Sequence, residues 1–116
     1  MNQLFDKSCT PCEGGVAPLT PSQCAELLPQ IPGWNLVEEK VLEREFGFDN
    51  YWQTMAFVNA VAWVAHREDH HPDLTVSYSS CRIHYTTHAI GGLSENDFIC
   101  AAKINRLGTA EDPGTG

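Results

Sequence analysis

Residues 50–69, NYWQTMAFVNAVAWVAHRED, carry a long helical pattern that ends just before Pro72. Trp52, Met55, Ala56, Ala60, Trp63 and Val64 recur at three- and four-residue spacing, which predicts a helix with one broad buried face. Asp49 is the expected N-cap. Pro72 stops the helix, because proline disfavours helical backbone in the residue before it. The chain has 116 residues, enough for one core and too few for two, so every other element must share that core.

Extended signals lie on both sides of this helix. In WNLVEEKVLEREFGF, Val41, Glu43 and Glu45 alternate with Leu42, Arg44 and Phe46, a period of two that predicts two short strands. LTVSYSS and RIHYTTHA predict a second pair, rich in β-branched and aromatic residues. A first short helix is expected in TPSQCAELLPQ, with Thr20 as N-cap, Pro21 at the first helical position and Gln23 in the capping-box position, ending near Pro29. A last helix follows GGLSENDF, capped by Ser94 with Asp97 in the capping-box position and with Ile99, Ala102 and Ile104 packing inward.

The order helix, two strands, long helix, two strands, helix predicts an α+β fold with a four-stranded antiparallel sheet covered by helices. Such a sheet has open edges, so pairing with a second copy is expected. Residues 1–19, rich in Gly, Pro, Cys and Thr, read as a flexible leader. Residues 20–107 read as the domain and 108–116 as a disordered tail.

A net charge of −8 with only seven Lys and Arg argues against a nucleic-acid-binding surface. No apolar run is long enough to span a membrane, and the N-terminus lacks a hydrophobic signal region, so a cytoplasmic protein is expected. The five cysteines (Cys9, Cys12, Cys24, Cys81, Cys100) are odd in number and show no framework spacing, which predicts free thiols.

The segment HREDHHPD places His66, His70 and His71 within six positions. His70 and His71 fall at the C-terminal end of the long helix, where unpaired carbonyls favour imidazolium and raise a histidine pKa. His84, Thr86 and His88 alternate onto one face of the last strand, so His88 meets the His70–His71 pair if that strand runs beside the helix end. Three imidazoles in one cleft suit proton transfer near neutral pH. Two alternatives compete. His84 alone reads as an ordinary surface residue, whereas His66 and His70, at i and i+4, have the spacing of two zinc ligands. HREDH, however, is not the HExxH signature, and Cys9 and Cys12 form one CxxC without a second pair.

The stretch DHHPDLTVSYSSCRIHYTTHAIGGLSENDF resembles the pterin-4a-carbinolamine dehydratases (4a-hydroxytetrahydrobiopterin dehydratases). His70, His71, Pro72, Tyr78, Thr87, His88, Gly92, Leu93, Ser94 and Asp97 stand where that family carries His-His-Pro, an aromatic residue, Thr-His and the Gly-Leu-Ser/Thr-x-x-Asp turn. IPGWNL, LEREFGF and AFVNAVAWVA are similar as well, so the resemblance covers about residues 20–107.

The resemblance implies a four-stranded antiparallel sheet with three helices packed on one face, associated as a homodimer or homotetramer. It implies a hydro-lyase that dehydrates 4a-hydroxytetrahydropterin to quinonoid dihydropterin and water. That reaction recycles the pterin used by aromatic amino acid hydroxylases such as phenylalanine hydroxylase, and it needs neither metal nor other cofactor. By position, His70, His71 and His88 are the implied catalytic residues; Pro72, Thr87, Ala89, Ile90 and Asp97 are the implied pterin-binding ones. Asp97 either orients a histidine or serves the helix cap. The family usually has a carboxylate where this chain has His66, which predicts a displaced pH profile that His66→Glu should move. The alternatives are a non-enzymatic dimeric scaffold that assists transcription, or a zinc-binding structural protein.

Overall fold

The computed structural model describes residues 3–10 and 17–110, with side chains to Leu107. The elements are α1 (Pro21–Leu27), β1 (Asn35–Val37), β2 (Val41–Gly47), α2 (Tyr51–Glu68), β3 (Asp73–Val76), β4 (Ser80–Tyr85) and α3 (Glu95–Ala110). The strands form one antiparallel sheet in the order β1-β2-β4-β3. The expected α+β architecture of three helices and four antiparallel strands is therefore the one observed.

Strand register explains why the helices cover one face. Leu42, Arg44 and Phe46 of β2 pair with Tyr85, Ile83 and Cys81 of β4, and these positions point into the core. Their alternates, Glu43 opposite His84 and Glu45 opposite Arg82, carry ion pairs on the open face. Among the described residues, Arg44 is the one charge on the inner face of the sheet. Its guanidinium lies over the Phe46 ring at 4.3 Å and donates to the Pro32 carbonyl and to Asn105 Oδ1, both at 2.8 Å. Burial lowers its pKa from the ordinary arginine value. α3 supplies the other half of the core, with Phe98, Ile99, Cys100, Ala101, Ala102 and Ile104 all buried.

The expected capping of α1 is present in full. Thr20 Oγ1 accepts from the Gln23 amide and Gln23 Oε1 from the Thr20 amide. Four sequence expectations need correction. The N-cap of α2 is Asn50, whose side chain accepts from the Gln53 amide at 2.8 Å, not Asp49. The buried face of α2 is Thr54, Phe57, Val61 and Ala65; Trp52 and Trp63 turn to solvent. The apolar pattern is broad enough to permit either face, and the aromatic rings Phe46 and Phe48 select Phe57. The segment 77–79 is a tight turn rather than strand, closed by the Ser77 amide on the Ser80 carbonyl at 2.9 Å. Finally, α3 continues to Ala110, two residues past Gly108, where the tail was expected to begin; residues 111–116 lie outside the described part.

Part of the segment read as a leader belongs to the globule. Leu4 is 2% exposed and sits in the core cluster, in a short 3-10 turn (Leu4–Asp6) packed on α3. Lys103 Nζ holds the Phe5 carbonyl at 2.8 Å, and the Leu4 amide donates to Gln30 Oε1 at 2.9 Å.

Candidate active site

The C-terminus of α2 places the histidine pair. Asp69 takes the left-handed conformation (φ 52, ψ 43), and the His70 amide closes back on the Ala65 carbonyl at 3.1 Å. The chain then leaves the helix, and the two adjacent imidazoles part company. His71 stays exposed. The His70 ring turns inward, its side chain 14% exposed, and stacks on Tyr85 with ring centroids 5.3 Å apart. The Tyr85 hydroxyl donates to the His70 carbonyl at 3.0 Å, so backbone and ring are both held.

Behind His70 lies Asp97, fully buried in the first turn of α3. Its Oδ1 is 2.6 Å from His70 Nε2. Its Oδ2 accepts from the Ser94 amide at 2.9 Å and from the Thr87 hydroxyl at 2.8 Å. Each carboxylate oxygen is thus satisfied, and the helix N-terminus adds a favourable field, which is what a buried charge requires. Both roles considered for Asp97, orienting a histidine and capping α3, are filled by one side chain.

The His70 pKa is raised above its ordinary 6.5. Burial is the largest single influence and opposes the charge; the Asp97 hydrogen bond and charge, helped by Cys100 and Asp69, outweigh it. The upward direction matches the sequence expectation. The largest upward influence is the facing Asp97 carboxylate.

His88 reaches the same region by a different route from the expected one. β4 ends at Tyr85, so His84, Thr86 and His88 do not share a strand face. His84 stays on the open side of the sheet, 2.9 Å from Glu43. Past Thr87, the chain folds into a 3-10 turn (His88–Ile90) that ends on Gly91 at φ 69, a conformation natural to glycine. The Thr87 amide bonds the Gly92 carbonyl at 2.9 Å, and this closure swings exposed His88 towards the end of α2.

The result is a cleft of about 510 Å³ lined by His70, His71, His88, Thr87 and Ala89 among the residues expected there. Pro72 and Ile90 are not on its wall, and Asp97 supports it from behind. Cys9, Thr10 and Asn96 also line it, and none of these was expected. Asn96 clamps Thr10 through both backbone groups (3.1 and 2.6 Å), and the Cys9 amide donates to Glu68 Oε1 at 2.8 Å.

His66 does not support His70. Its ring faces Trp63 at 6.0 Å, while Glu68 is engaged by Cys9 and, at 3.7 Å, by Lys103. The two-histidine zinc spacing also fails, since the helix stops before His70 and its Nε2 is taken by Asp97. Among the described residues, no three His, Cys, Asp or Glu converge as metal ligands; Cys12 of the CxxC lies outside them. The four described cysteines, Cys9, Cys24, Cys81 and Cys100, are free thiols, and no described helix is long and apolar enough to cross a membrane.

Known proteins resemble the chain in sequence and fold. A protein of Nitrosospira multiformis named "Putative pterin-4-alpha-carbinolamine dehydratase" is 60% identical over 107 residues, spanning 92% of this chain and 94% of its own. One of the same name from Nitrosomonas europaea is 62% identical over 105 residues, 90% of this chain and 92% of its own. Among solved structures, a transcriptional coactivator/pterin dehydratase from Brucella melitensis is 30% identical, with a TM-score of 0.73 over 78% of this chain and 97% of its own. Residues 17–107, which hold the cleft's three histidines and Asp97, match the family model, and the chain belongs to the pterin 4 alpha carbinolamine dehydratase family.

Proposed function

We propose that the protein dehydrates 4a-hydroxytetrahydropterin to quinonoid dihydropterin and water. The observation that carries this reading is the convergence of His70, His71 and His88 on one cleft, with a buried carboxylate fixing the first of them. The reaction needs a proton delivered to the departing 4a-oxygen and another removed from N5. Imidazoles near neutral pH can do both, each step typically worth about 10²–10⁴ in rate. His71 and His88, exposed on the cleft wall, divide the two transfers. His70, held by Asp97 and Tyr85, presents a ring of fixed orientation and raised proton affinity beside them. Thr87 and Ala89 contact the pterin, and Asp97 acts through His70 rather than on the substrate. In this role the protein recycles the pterin of an aromatic amino acid hydroxylase, such as phenylalanine hydroxylase, in the cytoplasm.

The same reading includes self-association. β3 is an edge strand, and Val76, Tyr78, Tyr51, Trp52 and Trp63 expose apolar surface along β3, its turn and α2. A second copy would cover these residues in a homodimer or homotetramer.

The test is the dehydration rate of freshly generated 4a-hydroxytetrahydropterin, followed by absorbance with chelator-treated protein. Acceleration over buffer that disappears in His71→Ala and His88→Ala supports the reading. No acceleration by folded protein overturns it and favours the scaffold role suggested by the coactivator half of the Brucella protein's name.

A further inference from the structure

Cys9 and Cys100 stand 91 positions apart in sequence, yet their sulfurs are 3.6 Å from each other. Neither takes part in the proposed proton transfers. Cys9 belongs to the N-terminal arm (residues 3–10), which precedes the family-matched residues 17–107, and it is half-buried on the cleft wall. Cys100 is buried in α3, one turn after Asn96, and its sulfur lies 4.0 Å from the His70 carbonyl. The arm is already pinned on both sides of Cys9, by Lys103 at Phe5 and by Asn96 at Thr10. The thiols therefore meet because packing holds them together. Closing to a disulfide takes a further approach of about 1.5 Å.

We propose that Cys9 and Cys100 form a peroxide-sensitive dithiol whose disulfide fastens the N-terminal arm to α3 at the wall of the cleft. The surroundings suit the chemistry. The hydrogen bond with the Cys9 thiol, the Tyr85 hydroxyl and the charge of His70 lower the Cys100 pKa against the cost of burial, whereas the Cys100 sulfur, burial and Glu68 raise that of Cys9. Only Cys9 lines the cleft, so it meets the oxidant, and the Cys100 sulfur, the more acidic of the two, takes up the Cys9 proton as Cys9 attacks. Hydrogen peroxide, small enough for the cleft, is the oxidant. The Cys9 sulfur displaces hydroxide from the O–O bond, giving a sulfenic acid, and that hydroxide leaves with one thiol proton as water. The Cys100 sulfur then displaces hydroxide from the sulfenic sulfur, forming the S–S bond, and the second thiol proton completes a second water. Two thiols lose two electrons, and one peroxide becomes two waters.

The experiment treats the full chain with stoichiometric hydrogen peroxide, digests it under non-reducing conditions and maps linked peptides by mass spectrometry. The expected product joins the peptides of Cys9 and Cys100 with the loss of two hydrogens, and dithiothreitol reverses it. Closing so long a loop should also raise the melting temperature by on the order of 10 °C. Cys100→Ser should give no such link; should that variant not fold, Cys9→Ser serves the same purpose. A Cys9–Cys12 link, over-oxidation without a cross-link, or unreacted thiols would overturn the proposal. A Cys9–Cys100 link that leaves the melting temperature unmoved would overturn the fastening role. None of these readouts depends on dehydratase activity.

Discussion

His70 Nε2 and Asp97 Oδ1 lie 2.6 Å apart, joining the end of α2 to the first turn of α3 across the back of the cleft. The contact is directional, charged and shielded, with the histidine side chain 14% exposed and the aspartate fully buried. Hydrogen bonds to charged groups contribute about 1.5–3 kcal/mol, more than neutral ones, and removing one partner leaves a buried group unpaired.

Asp97→Asn keeps the shape and removes the charge. The amide still offers one oxygen to the Ser94 amide and the Thr87 hydroxyl, but no longer attracts a proton to His70. We expect the His70 pKa to fall, and stability to drop by about 1–3 kcal/mol. The sign of the pH dependence follows from the raised folded-state pKa of His70. Its contribution to stability is fully present below the unfolded value near 6.5 and is lost as pH rises through the folded value. The melting-temperature gap between wild type and Asp97→Asn should therefore narrow as pH is raised from about 6 to 9. A gap that is constant or widening over that range contradicts the ion-pair account, and NMR titration of the His70 ring measures the shift directly.

His71→Ala and His88→Ala separate chemistry from folding. Both side chains are exposed, so each change should cost no more than about 0.5 kcal/mol of stability. Each should lower kcat by about 10²–10⁴ if the two imidazoles share the proton transfers. Retained activity in either variant removes that residue from the mechanism. Loss of activity accompanied by a large fall in melting temperature would assign it a structural role instead.

The element order, the α1 capping box and the two-residue alternation of β2 were legible in the sequence, because each is set by local rules. A period of two buries Leu42 and Phe46, and Thr20 with Gln23 marks a helix start. The path of His88 was not legible. Strand propensity in RIHYTTHA gives no sign that pairing stops at Tyr85, where the Thr87–Gly92 bridge takes over. Nor was the buried face of α2, since Trp52 and Trp63 fit the helical period as well as Phe57 does. The packed arm was hidden for another reason. Residues 3–10 form only a single 3-10 turn, and their order comes from contacts 26 to 98 positions away in sequence, with Gln30, Glu68 of α2 and several residues of α3.

That arm makes a prediction about stability. Leu4 is 2% exposed, so Leu4→Ala removes buried methyl groups and leaves a cavity beneath the arm. Such changes cost about 2–5 kcal/mol in a rigid core. Denaturant unfolding should show a loss in that range. A cost below about 0.5 kcal/mol, typical of surface changes, would mean that the arm does not pack as described.

The β1–β2 turn offers a change in the opposite direction. The Lys40 amide closes on the Val37 carbonyl at 3.0 Å, and the two residues between, Glu38 and Glu39, both have positive φ, at 51° and 62°. This is the hairpin geometry that matches strand twist, and Asn-Gly is the pair that adopts it without strain. Glutamate carries a Cβ and no short side-chain amide, so both positions hold a conformation costing of order 1 kcal/mol each. Two adjacent carboxylates add mutual repulsion in a chain already at −8. Glu38→Asn with Glu39→Gly should therefore raise stability by about 1–2 kcal/mol, read as a higher denaturant midpoint at unchanged slope. The gain should be smaller at high salt, where the repulsive part is screened before the mutation is made. The strain is local to the turn, and neither residue lines the cleft, so the dehydration rate should not change. A neutral or destabilising result would show that the turn does not impose positive φ on these two residues in solution.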